Sequence, residues 1–411
     1  MTAGTAPTPQ IPATPVEANE RLMTAISRNI RQFGMLIALV VIVAFFQYTT
    51  GGVMLKPQNV TNVFLQNGYI IAMALGMLLV IVAGHIDLSV GSVAAFTGAI
   101  AAVLMVNYSM DPIIGVAAAL ILGGLIGAWQ GFWVAYMRIP AFIVTLSGML
   151  LFRGLTLYLL NGQPVGPFPS TFRDIASGFI PELIGTVKDP FGPDELKLTT
   201  ILLAAILCVA LVFMDLSARR EQLKYGFEVS HFGQFVAKNA VTVLGIMYLA
   251  YRLAGFNGLP EVLVLVGALI GVYMFVTVQT VIGRRIYAVG GNVKAAMLSG
   301  VKTKRMVFLV FVNMGVLSAV GGLIAAARFN SATPKAGEGF ELDVIAATFV
   351  GGASAYGGIG TVAGAVIGAL VLGILNIGMG LMGIGIDYQF AIKALVLLLA
   401  VFVDVRGKSR D

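Results

Sequence analysis

Residues 77–93 read MLLVIVAGHIDLSVGSV. An apolar run stops at Gly84-His85-Ile86-Asp87-Leu88-Ser89 and resumes at once, with no basic residue nearby. A soluble hairpin would separate its helices with a longer polar loop. A short polar island between two long apolar runs instead reads as an unwound break inside a membrane bundle, its freed backbone groups facing a cavity. An acid at that depth costs about 2.5–3.5 kcal/mol on insertion scales, so Asp87 must be paired or hydrated. Two readings stand for Asp87 and Ser89: capping of the helix that begins near Leu88, or a part in the pathway or its gate. His85 is either a helix-end residue in a polar pocket or a relay residue.

The rest of the chain repeats this texture. Of 411 residues, 58% are hydrophobic and 11% charged, against about 25% charged in soluble domains. Fifty glycines suit helices whose backbones touch. Apolar segments fall at 33–49, 63–83, 88–107, 113–137, 141–160, 198–215, 239–256, 261–283, 306–327, 341–356, 362–383 and 388–404. The segment 341–356 runs into Gly351, Gly352, Gly357 and Gly358, which fits a broken or re-entrant helix as well as it fits a full span. Residues 1–32, rich in Pro and Thr near their start, read as a disordered cytoplasmic tail, 33–404 as the membrane domain and 405–411 as a second cytoplasmic tail.

Alternating the twelve segments from a cytoplasmic N-terminus puts seventeen Lys and Arg inside and six outside. The inside clusters include 214–239 and 284–305. This bias places both termini in the cytoplasm and 161–197 outside. The outside loop carries six prolines and four phenylalanines. It serves either as a cap on the protein's own helices or as a docking surface. Arg153, Arg252 and Lys393 are the cations within segments. Trp129 and Trp133, four apart, read as interface anchors or as sugar-stacking faces.

Several chemistries are excluded. One cysteine, Cys208, permits no internal disulfide, and His85 and His231 are too far apart in sequence to form a local metal motif. No glycine loop ending in Lys-Ser/Thr is present, so no ATP site is expected. No catalytic acid–base or His cluster is visible, and no cofactor or nucleic acid is expected; the net charge of +7 marks cytoplasmic loops.

Residues 283–301, GRRIYAVGGNVKAAMLSGV, combine basic charge, a Gly290-Gly291-Asn292 turn, a short helix over 293–298 capped by Asn292, and Ser299-Gly300. With IDLSVGS at 86–92, TLSGMLLFRGL at 145–155 and FVGGASAYGGIGTVAGAVIGAL at 349–370, this stretch resembles the membrane subunit of bacterial ribose-, xylose- and multiple-monosaccharide-type ABC importers. The four motifs occur in the family's order, over about 55–405. The family's usual GGIDLSVG is replaced here by Ala83-Gly84-His85 before Ile86, and 198–256 resembles an insertion of about two helices; both features, with the long 161–197 loop, resemble the xylose and multiple-monosaccharide branch. The resemblance implies an all-α polytopic protein, a type II ABC importer-like bundle with a ten-helix core. It implies a homodimer in the bacterial inner membrane, embedded in lipid, with a separate ATPase and a periplasmic sugar-binding protein. The 284–305 loop is then either a topology signal alone or the coupling element, with Gly290, Gly291, Asn292, Ala295, Ala296, Ser299 and Gly300 meeting the ATPase and the Ala295-Ala296 face entering its groove. His85, Asp87, Ser89, Arg153 and Lys393 are the pathway or gating candidates, and Arg153 or Lys393 is the expected partner of Asp87. An ion-coupled secondary sugar carrier is the alternative.

Overall fold

The computed structural model describes residues 34–408, apart from 191, 193, 194, 228 and 230. The expected N-terminal tail and the last three residues lie outside the described residues. All twelve apolar segments are helical. In chain order the helices are α1 (Gly34–Thr49), α2 (Pro57–Val82), α3 (Val90–Ala102, continued by a π-turn, Val103–Asn107), α4 (Pro112–Ala135), α5 (Ala141–Leu160), α6 (Ser170–Ser177), α7 (Leu198–Lys224), α8 (Phe232–Ala254), α9 (Glu261–Gln279), α10 (Val281–Gly291), α11 (Val293–Leu298), α12 (Thr303–Phe329), α13 (Phe340–Val350), α14 (Val362–Leu381) and α15 (Ile386–Lys408). Among the described residues, nine helices are long and apolar enough to cross a bilayer. The protein is a multi-pass helical membrane protein.

The helices divide by what surrounds them. Of the apolar window of α2, 89% is buried, against 6% for α7 and none for α8. The first is the bundle's centre, packed on α12, α13 and α14; the other two lie on its outside, paired with each other. Lipid is as apolar as leucine, so burial does not drive helix pairing, and close backbone contact must. Gly123, Gly127 and Gly131 recur every fourth residue and so share one face of α4. They meet α12 so closely that a Cβ on Gly127 would fall on the Phe311 carbonyl oxygen, and one on Gly315 on that of Gly123.

One segment differs from expectation, and a second falls to one of the two readings left open. The 214–239 loop shrinks to 225–231, because α7 and α8 continue past the hydrocarbon as polar helix, tied by Lys238 and Asp215 at 2.7 Å. α13 has 11 residues, about 16 Å at 1.5 Å per residue, roughly half of a hydrocarbon core. It is a half-helix ending in the glycine-rich break 351–361.

The 161–197 segment folds back on its own helices. Phe168 and Phe172 are buried, α6 packs on α12 and α9, and Val165 bridges Ala332. Its β-hairpin, β1 (Thr186–Lys188) with β2 (Glu195–Lys197), leads into α7. Glu182 clamps that junction, accepting hydrogen bonds from the Thr199 hydroxyl and from the amides of Gly185 (3.0 Å) and Ile184 (3.1 Å). Partial burial alone would raise its carboxyl; these bonds, led by the Thr199 hydroxyl, outweigh it and bring the pKa to about 2. A depressed folded-state value contributes stability above the ordinary 4.5, lost as pH falls toward about 2. Proteolysis within 178–197 is therefore expected to accelerate across that window, and the Glu182→Gln variant should be cleaved quickly at every pH. A Glu182→Gln variant with the parent's pH profile would mean the clamp carries nothing.

Candidate functional site

The first break starts where α2 ends. Gly84 takes φ +83°, a region costly for residues with a Cβ, and turns the chain so that the His85 amide donates back to the Val80 carbonyl at 3.0 Å. The chain runs irregularly to Ser89, the N-cap position of α3, whose hydroxyl makes no capping bond. Instead, Asp87, 3% exposed, accepts from the Ser89 amide at 2.8 Å and the Ser89 hydroxyl at 2.7 Å. The same Ser89 oxygen accepts from Gln130 Nε2 at 2.7 Å. Gly148 of α5 leaves the room that Gln130 occupies. Asp87 thus braces the break against α4.

The expected cationic partners of Asp87 are elsewhere. Arg153 Nη1 donates to the Ala336 carbonyl at 2.5 Å. Lys393 Nζ lies 2.9 and 3.2 Å from the two Asp343 oxygens. Both cations face the N-terminal end of α13 and the chain leading into it, whereas the break packs against α4 and the start of α5. The side of the bundle that each cation faces was not readable from sequence.

The second break, 351–361, lies directly against the first. The Gly358 amide donates to the Val82 carbonyl, the last residue of α2, at 2.8 Å. α10 closes the junction. Its Gly290 packs so tightly that a Cβ would overlap the Val82 carbonyl oxygen and crowd the Gly358 nitrogen, and Tyr287 donates its hydroxyl to the Gly360 carbonyl at 2.8 Å. One basic element therefore touches both breaks.

That element follows the sequence reading in part. The short helix spans Val293–Leu298, and Asn292 caps it by accepting from the Ala295 amide at 3.0 Å. Gly290-Gly291, expected as a turn, is the last turn of α10; the chain bends at Asn292. Ala296 is buried, not outward-facing: the Gly300 turn (φ +80°) folds the chain back, and the Val301 amide bonds the Ala296 carbonyl at 3.0 Å. Ala295 is exposed, as are Val293, Met297 and Leu298, the last at 88%. Ser299 and Gly300 end the helix.

His85 is half-buried, its ring 5.9 Å from that of Phe311. It lines an open cleft of about 530 Å³ between the two breaks and the α4–α5 turn. Trp129 and Trp133 are partly exposed beside Phe152 and Phe132 on the outer side of α4. Among the described residues, no group of three or more His, Cys, Asp or Glu could hold a metal. Gln130, Tyr287 and Asp343 were missed by the sequence reading, and Gly358 was read only as marking a break, not as a partner of Val82. Gln130 had a signal, a lone polar side chain in an apolar helix; Asp343, beside Glu341 in the first turn of α13, and Tyr287 had none, because their roles come from contact with another segment.

Residues 59–401 match the family described as branched-chain amino acid transport system / permease component. The chain belongs to this permease family. Similar proteins include the xylose transport system permease protein XylH of Haemophilus influenzae, 36% identical over 93% of this chain and 98% of that one. XylH of Escherichia coli K12 is 36% identical over 94% of each chain. The ribose import permease protein RbsC of the same strain is 35% identical over 90% of this chain and 92% of its own. No solved structure gives a significant match. The permease is a transport subunit rather than an enzyme, and the two paired breaks are features of a permease.

Proposed function

We propose that the permease is the translocating subunit of a bacterial inner-membrane ABC importer for a xylose-like monosaccharide, or for several sugars. It works as a homodimer with a separate ATPase and a periplasmic binding protein, with both termini in the cytoplasm. The observation that carries this reading is the seating of α10–α11 against both breaks. An element that is basic, outside the hydrocarbon and in backbone contact with Val82 and Gly360 is placed to pass motion from a cytoplasmic partner to the helix bundle. The exposed Val293–Met297–Leu298 face is the surface offered to that partner. ATP binding closes the ATPase beneath the membrane, α11 follows, and the Val82–Gly358 contact transmits the shift to α2 and α13. Specificity resides largely in the binding protein, because a neutral sugar requires no charged site in the path. The exposed Leu183, Ile184 and Val187 are the docking side of the 161–197 segment.

The test is reconstitution in proteoliposomes with the partner ATPase and binding protein. Xylose should stimulate ATP hydrolysis, leucine should not, and uptake should be indifferent to an uncoupler. Leu298→Glu should reduce ATPase association at least tenfold at normal permease abundance, because it places a charge in an apolar contact. Ala296→Trp should instead lower abundance, since it overfills the permease's own core by about 1–3 kcal/mol. Normal uptake by the Leu298→Glu protein would remove α11 as the coupling element, and uptake abolished by the uncoupler would favour the ion-driven carrier.

A further inference from the structure

The cleft at the paired breaks has a composition unlike the other large groove. That groove, about 590 Å³ along α6, α9 and α12, is walled by Val264, Leu265 and Val272, with Glu261 its one charged side chain. The cleft at the breaks, about 530 Å³, falls in the ~300–1,000 Å³ range of small-molecule sites. Its polar side chains are His85 and Arg138, its aromatic walls Phe142 and Phe349, and the rest is apolar side chains of α2, α4 and the α4–α5 turn with residues of both breaks. Arg138 holds φ +60°, a conformation uncommon for a side chain of that size and kept only where the surroundings impose it.

We propose that this cleft is a low-affinity binding site for a neutral monosaccharide, at the end of the path nearest the coupling helices. The proposal rests on the sugar reading above and adds the site at which the sugar pauses before release. Three features select the ligand class. No carboxylate lines the cleft, so amines and divalent cations gain nothing there. Imidazole and guanidinium donate hydrogen bonds that hydroxyl oxygens accept. Phe142 offers a flat apolar face to the C–H side of a pyranose. The roof is built from Gly84–Ile86 of one break and Ala355 of the other, next to the Val82–Gly358 bond that the coupling element touches. Displacing that bond moves both roof segments and opens the cleft, so occupancy and release follow the coupling motion.

The experiment places a thiol in the cleft of the full-length permease in proteoliposomes. Cys208, the native cysteine, is buried and provides the silent background. Ile139→Cys, which lines the cleft without a binding role, is labelled with a maleimide with and without xylose; Ile86→Cys is the second reporter should the first misfold. Xylose should slow labelling at least threefold, with half-protection on the order of 1–10 mM, the weak end of specific binding. His85→Ala combined with the reporter should abolish protection, and Val264→Cys in the apolar groove should not respond. The proposal is overturned if xylose gives no protection, if glycerol protects equally, or if inorganic phosphate protects better, which would make the cleft an anion site. The same preparation with its partners is assayed for sugar-stimulated ATP hydrolysis. Stimulation without protection removes the cleft alone; neither response removes the sugar reading as well.

Discussion

Lys393→Met is expected to destabilise the permease by on the order of 3 kcal/mol, the cost of leaving one member of a buried ion pair without its partner. The side chains of Lys393 and Asp343 are 18% and 10% exposed, and their contact joins α15 to the half-helix α13. Thermal unfolding of the purified protein and its abundance in membranes both measure the loss. Adding Asp343→Asn to Lys393→Met should recover most of it, because no charge then remains buried. Additive damage in the double variant would show that the pair contributes nothing as a pair. Arg153, held to the Ala336 carbonyl, steadies the chain that enters α13 from the other side. α13 carries the second break, so this support extends to the junction with Val82.

Gly290→Val is expected to reduce uptake at least tenfold, while Gly291→Ala should leave it near normal. A side chain at 290 meets the Val82 carbonyl oxygen and the Gly358 nitrogen, both backbone atoms that cannot rotate aside; at 291 it meets nothing within 4 Å. Separating the segments forfeits the Gly358–Val82 bond, about 1 kcal/mol, with strain of about 1–3 kcal/mol from overpacking. Transport per molecule of folded permease is the measurement. Equal uptake by the two variants would mean that contact between α10 and the breaks is incidental to transport.

The legible parts of this molecule were those governed by local chemistry. The apolar periods each fell on helix, 141–160 matching α5 at both ends, while 341–356, equally readable as a span or a broken helix, proved to be the half-helix α13 and its break. Asn292 was readable as the cap of a helix over 293–298, because capping depends on residues three apart. The extent of α7 and α8 was not, since their cytoplasmic ends are polar helix and hydropathy alone reads such residues as loop. The facing of Ala296 was not either: on a six-residue helix, small residues at 295 and 296 look alike until the Gly300 turn decides which one meets the bundle.

By itself, the sequence determined that this chain lives in a bilayer, how many times its apolar runs recur, which way its charges bias it, and where its backbone breaks. Each follows from the transfer energy of residues within one segment, which neighbours along the chain decide. Tertiary structure alone decided that Asp87 is held by Ser89, with Gln130 bonded to the same hydroxyl, that Lys393 and Arg153 serve α13, and that Gly290, Val82 and Gly358 meet at one point. In a bilayer every helix is apolar on most sides, so hydropathy cannot say which faces meet. That choice rests on where glycines let backbones touch and where a few polar groups find partners across the bundle.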